Sequence, residues 1–177
     1  QLIIGTEIDL TLSGAVAVVN GGDQYTAVKM KDITVTADAS TGTFGLAGTL
    51  TLNSIDYNGV SAGDRLDWTT LNLNPGADLP TPQDLTIDFT DDFVHRITGS
   101  VTGDAGNDDI FITADDVTLA GTAEFAVTRY QRDIGTLTDA NIDSYAFTLN
   151  GVQLIIGTEI DLTLSGAVAV VNGGDQY

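Results

Sequence analysis

Three short acidic groups are the residues best suited to chemistry in this 177-residue chain. Asp104, Asn107, Asp108 and Asp109 crowd the segment GDAGNDDIF (103–111), Asp91 and Asp92 sit in FTDDF, and Asp115 and Asp116 in TADDV. Closely spaced carboxylates and amides in turns are ligands for hard cations; calcium takes several such oxygens at about 2.4 Å. Adjacent residues of a strand point to opposite faces, so a pair such as Asp91-Asp92 coordinates jointly only from a turn. The competing reading of each group is a solvated acidic turn whose charge keeps a β-rich protein from sticking to itself.

Other chemistries have less to stand on. There is one histidine, His95, and no cysteine, so neither a catalytic triad nor a His- or thiolate-based metal site has support. His95 lies close to Asp91, Asp92 and Arg96, a composition that suggests a surface ion-pair cluster. Glycosidases use two carboxylates about 5–10 Å apart, but a chain this rich in Asp holds such pairs by accident, and the expectation is that it is not an enzyme. Trp68, with Leu66, Leu71 and Leu73 nearby, reads as a core anchor, with sugar stacking as the sharper alternative. Six Lys and Arg stand against 25 Asp and Glu, a net charge of −19. That balance argues against nucleic acid, whose phosphates need clustered basic residues, and against anionic membrane surfaces. No apolar run reaches 18 residues, so no membrane insertion is expected. The chain begins at Gln1 without an initiator Met or a signal peptide, and reads as an excerpt from something longer.

The organisation of the chain is dominated by repetition. Residues 1–25, QLIIGTEIDLTLSGAVAVVNGGDQY, recur letter for letter at 153–177, an offset of 152. Chance does not produce such a match; it marks one period of a tandem array followed by the start of the next copy. The overlap carries Glu7, Asp9 and Asp23, so each period contributes −16 of the −19. Apolar residues make up 42 %, enough for a core. Period-two alternation runs from Val152 through Leu154, Ile156, Ile160, Leu162, Leu164, Gly166, Val168 and Val170, with a bend or break expected at Gly157 or Gly166.

Further strands are expected at 25–37, 43–53, 64–73, 84–89, 93–102, 109–119, 121–130 and 143–149, and no segment has a helical stripe. Asn-Gly pairs at 20–21, 58–59, 150–151 and 172–173 predict tight hairpins. The third would make 153–177 the second arm of a hairpin, and leave its twin at 1–25 less ordered or paired with a neighbour. Pro75, Pro80 and Pro82 mark 75–83 as a linker or a long loop between a β-rich part at 1–74 and a β-rich unit at 84–177. A looser pattern, an apolar residue, a small one and then Gly, recurs at Leu12-Ser13-Gly14, Leu46-Ala47-Gly48, Ile97-Thr98-Gly99 and Leu119-Ala120-Gly121. The expected class is all-β, a mostly antiparallel β-sandwich-like repeat unit in an elongated array, with an irregular β-solenoid as the alternative.

GDAGNDDIF is similar to the calcium-binding nonapeptide of repeats-in-toxin proteins, G-G-x-G-x-D-x-U-x, with Asp104 in place of the second Gly. With the perfect repeat, the acidity and the absence of Cys, the chain resembles the extender repeats of giant bacterial surface adhesins of the repeats-in-toxin type. The resemblance implies a stalk of β modules stiffened by calcium and projected from the bacterial cell surface, in biofilm-type adhesion, with neighbouring repeats as partners. It maps calcium binding onto Gly103, Gly106, Asp108 and the carbonyls near Asn107. Two alternatives stay open: a subunit of a self-assembling filament or layer that donates strand 1–19 to an adjacent subunit, and a carbohydrate-binding module centred on Trp68.

Overall fold

The computed structural model describes residues 7–41, 44–103, 110–114, 117–156 and 158–172. They form eight strands: β1 (Glu7–Gly21), β2 (Asp23–Thr41), β3 (Phe44–Val60), β4 (Phe93–Thr102), β5 (Ile110–Ala114), β6 (Val117–Ile134), β7 (Leu137–Ile156) and β8 (Thr158–Asn172). All belong to one antiparallel sheet in the order β1-β2-β3-β4-β6-β7-β8, with the short β5 bridging β3 and β6. The all-β, antiparallel expectation therefore holds. Among the described residues the sheet is open, and its partial second layer is the connection 61–92 rather than a second sheet.

Sequence-local signals explain some joints and not others. Asn20-Gly21 does open a hairpin: Gly21 pairs with Asp23, and Gly22 takes the φ of 102° that the turn needs. Asn58-Gly59 does not turn; it continues β3, opposite Ala27 and Thr26 of β2. Asn150-Gly151 also stays inside β7, as a β-bulge where the register against β8 slips between Leu149 and Val152 and Gly151 adopts a φ of 58°. The hairpin expected there forms further on, between Ile156 and Thr158; Gly157 lies outside the described residues, as does Gly173. Gly166 causes no break: it faces Phe147 across the ladder, and a Cβ there would come within 2.9 Å of the Phe147 ring.

The expected strands at 64–73 and 84–89 are absent, and the reason is local hydrogen bonding. Asp67 accepts from the Thr69 amide, which closes a 3-10 turn at Trp68–Thr70, and Asp84 accepts from the Thr86 amide in the same way. Pro75 opens a second 3-10 turn, Pro75–Asp78. The two segments meet only at a single bridge, Leu73 to Ile87. The proline-bearing stretch 75–83 thus lies within the connection between β3 and β4, which pair directly with each other.

That connection makes the main core. Trp68, Ile87, Phe89 and Phe93 are buried against Ala27 of β2, with Leu66, Leu73, Tyr25 and Tyr130 at the margin. Phe89 stacks on Phe93 at 4.9 Å, and Phe93 meets Tyr130 edge-on at 5.8 Å. Asn58 fixes this layer to the sheet. Fully buried, its Nδ2 donates to the carbonyls of Leu66 (3.1 Å) and Thr90 (2.9 Å), and its Oδ1 accepts from Trp68 Nε1 (2.9 Å). Asn58→Ala takes the partner from the buried indole N–H and from the Leu66 carbonyl, each a cost of about 1–3 kcal/mol, while the Thr90 carbonyl keeps the Phe93 amide. The variant is expected to lose about 3 kcal/mol or more in urea unfolding, with the transition moved to lower urea at unchanged slope; a loss under about 1 kcal/mol would show that the amide is not the fastener.

Candidate functional site

Of the eight residues expected to bind metal, the structure describes two. Asp104, Asn107, Asp108, Asp109, Asp115 and Asp116 lie outside the described residues. Asp91 and Asp92 lie in the turn that leads into β4, closed by the Phe93 amide on the Thr90 carbonyl at 3.3 Å. That is the placement joint coordination requires, but the oxygens of Asp92 are already engaged. One accepts from Thr90 Oγ1 at 2.5 Å and the other faces Arg132 at 3.4 Å. Among the described residues no three His, Asp or Glu side chains gather as a metal-binding group.

The same turn borders an open cleft of about 440 Å³ at one end of the sheet, lined by Asp64, Arg65, Asp91, Asp92, Arg132, Asp133 and others. It forms where the β3–β4 connection meets the β6–β7 hairpin. The Gln131 amide donates to the Asp92 carbonyl at 2.7 Å, and Asp133 accepts from the Asp139 amide at 3.0 Å, which holds the hairpin end. The lining consists of carboxylates, two arginines, a glutamine and a glycine. Asp133 and Asp139 flank a local hairpin that turns at Gly135-Thr136, where Gly135 takes a φ of 60°, a turn outside the Asn-Gly pairs expected from the sequence.

The expected cluster of His95 with Asp91, Asp92 and Arg96 separates. Arg96 lies on the Trp68 side of the sheet, where its Nε (2.9 Å) and Nη2 (2.5 Å) both donate to Oδ2 of the buried Asp56. His95 lies on the opposite, open face, in register with Tyr57 of β3 and Arg129 of β6. Arg129 in turn forms a two-pronged pair with Asp143 of β7, Nε to Oδ1 at 2.5 Å and Nη2 to Oδ2 at 2.9 Å. These ties join residues 40 and 14 apart in sequence, so no local motif announces them. Trp68, fully buried, offers no ring face to a sugar.

The open face is otherwise apolar. One row across the sheet reads Met30, Ile55, Ile97, Val127, Tyr145, Val168, and the next Leu52, Gly99, Phe125, Phe147, Gly166. Toward β8 this face is wet: Tyr145, Phe147 and Val168 are 44 %, 40 % and 55 % exposed. The alternation read from the sequence is therefore present, and its apolar side remains exposed at β7 and β8.

No protein-family model matches the chain, and no solved structure matches it. It is similar to a curated protein described as deoxyribonuclease CdiA, from Dickeya dadantii (strain 3937), at 31 % identity over 125 residues. The match covers 71 % of this chain but only 4 % of that protein.

The row His95–Arg129–Asp143 carries a pH signature. Partial burial, aided by the Arg129 charge and opposed by Asp143, pushes the His95 imidazole below its ordinary 6.5. The hydrogen bond from Arg129 holds the Asp143 carboxyl below its ordinary 3.8. For both groups the unfolded chain binds protons more readily, so stability falls as pH drops. The His95 contribution is complete above pH 6.5 and is lost as pH falls toward its folded value; that of Asp143 is lost only below 3.8. Melting temperature should thus decline in two steps on acidification, and His95→Gln should remove the first and keep the second. An unchanged upper step in that variant would place its origin elsewhere.

Proposed function

We propose that this chain is a structural repeat of a long bacterial cell-surface protein, an extender rather than a catalyst. The observation that carries the reading is the letter-for-letter recurrence of 1–25 at 153–177. A repeated unit needs a fold that tiles, and an antiparallel sheet built from consecutive strands is such a fold. The acidity fits the role: at −16 per period, successive units resist collapse onto one another. The similarity to a short stretch of a much longer protein supports placement in the body of a large molecule. An adhesin stalk outside the cell is the form this takes, with neighbouring repeats as partners and calcium at the acidic segments 104–109 and 115–116 lowering the repulsion.

The name of the similar protein raises a second reading, action on DNA. That name belongs to a protein of which the match is 4 %, and a chain with six basic residues against 25 acidic ones repels a polyphosphate. Two measurements test the proposal. Supercoiled plasmid incubated with the purified protein and magnesium or calcium should stay intact; nicking that co-purifies with the protein would overturn the structural reading. Melting in millimolar calcium against chelator should raise the midpoint by several degrees, more than magnesium does. An unchanged midpoint would remove calcium from the proposal and leave an acidic spacer without metal.

A further inference from the structure

The two copies of the duplicated segment occupy opposite edges of the same sheet: β1 is the first strand in the order and β8 the last. Three geometric facts make this placement informative. Six antiparallel steps separate β1 from β8, an even number, so the two copies run in the same direction. They also show the same face. Following register, Val16 stands opposite Val28, then Tyr57, His95, Arg129, Asp143 and finally Val170. Val170 is the counterpart of Val18, and Val18 shares a face with Val16.

The third fact concerns edges. With direction and face the same, the partner of β1 lies on one side of the segment and the partner of β8 on the other. Residues 7–20 are bonded to β2 along one edge, and their counterparts 159–172 are bonded to β7 along the opposite edge. One 14-residue sequence is thus seen in both halves of an interior strand's role.

We infer that, where the period repeats, a single copy of this segment fills both roles at once: it takes β7 of its own period on one edge and β2 of the following period on the other. The partner of the outer edge of β8 is the counterpart of Asp23–Thr41 in the next copy, delivered by the same Asn-Gly-Gly turn that joins β1 to β2. The repeats then share one continuous sheet without a seam, advancing about 29 Å per period at about 4.8 Å per strand. The register constrains this further: a row entering at Val16 leaves at the counterpart of Val18, so each period steps two residues along the strands. No outer edge stays bare except at the ends of the array, which removes the hazard of unpaired strand edges.

The inference rests on the repeat reading proposed above, and the test separates the two. A protein of two full periods plus the closing segment is compared with the present chain by amide hydrogen exchange and calorimetry. In the present chain, the amides of 158–172 that point away from β7 should exchange at edge-strand rates. In the longer protein the same amides should slow by on the order of 100-fold, and melting should merge into one transition sharper than that of the single period. If the longer protein folds but those amides stay fast and the two periods melt independently, the shared strand is overturned and the repeat stands as separate modules in series. If the second period does not fold at all, both the shared strand and the tiling repeat fall.

Discussion

The fold depends on one buried amide. Asn58 sits near the end of β3, yet its side chain holds both flanks of the connection 61–92: the Leu66 carbonyl on one side, the Thr90 carbonyl on the other, and the Trp68 indole between them. Its own backbone carbonyl accepts from Arg65. The aromatic cluster of Trp68, Phe89 and Phe93 is held to the sheet through these bonds as well as through apolar burial. A connection without regular structure exposes many backbone groups, and it can form a layer over a sheet only if those groups find partners. Asn58, Asp67, Asn74 and Asp84 supply them: Asn74 Oδ1 accepts from the Leu85 amide, and the two aspartates accept from amides two residues on.

The charged residues that are not solvated act across the sheet. Asp56 with Arg96 links β3 to β4 on the covered face, and Asp143 with Arg129 links β7 to β6 on the open one. These cross-strand pairs help fix the register of the sheet, because a slip would separate each carboxylate from its guanidinium. In a chain with only six basic residues, two arginines are committed to this purpose and a third, Arg132, to Asp92. The −19 balance leaves few cations to specify pairing, and Arg96 and Arg129 are placed where one strand must not slide on the next.

How much could be read in advance follows from which signals are local. β4 spans Phe93–Thr102, the bounds expected for it from the sequence, and follows directly on the turn at Asp91-Asp92. The Asn-Gly pairs show the limit. The same dipeptide forms a turn at Asn20, a straight strand at Asn58 and a bulge at Asn150. Turn propensity of this kind is worth little beside three buried hydrogen bonds, so Asn58 follows its tertiary partners, and no neighbouring residue signals that they exist. The asymmetry expected between the duplicated segments loses its stated premise. It rested on an Asn150 hairpin; with that pair as a bulge, β7 runs on to Ile156 and both copies become edge strands. As for the acidic groups, composition and spacing picked out Asp91 and Asp92, but the engagement of Asp92 by Arg132 comes from a strand 40 residues away.

The sheet's antiparallel order has a consequence for shape. Neighbouring strands are rotated by about 20–25° on average, always with the same hand. Six steps accumulate about 120–150° before the duplicated segment comes round again. A ribbon extended in this way is a screw, completing a revolution in about two and a half to three periods. The aromatic layer on 61–92 and the acidic cleft beside it would recur around the axis as well as along it. Whatever approached such a fibre from one side would meet the same surface only at every second or third copy.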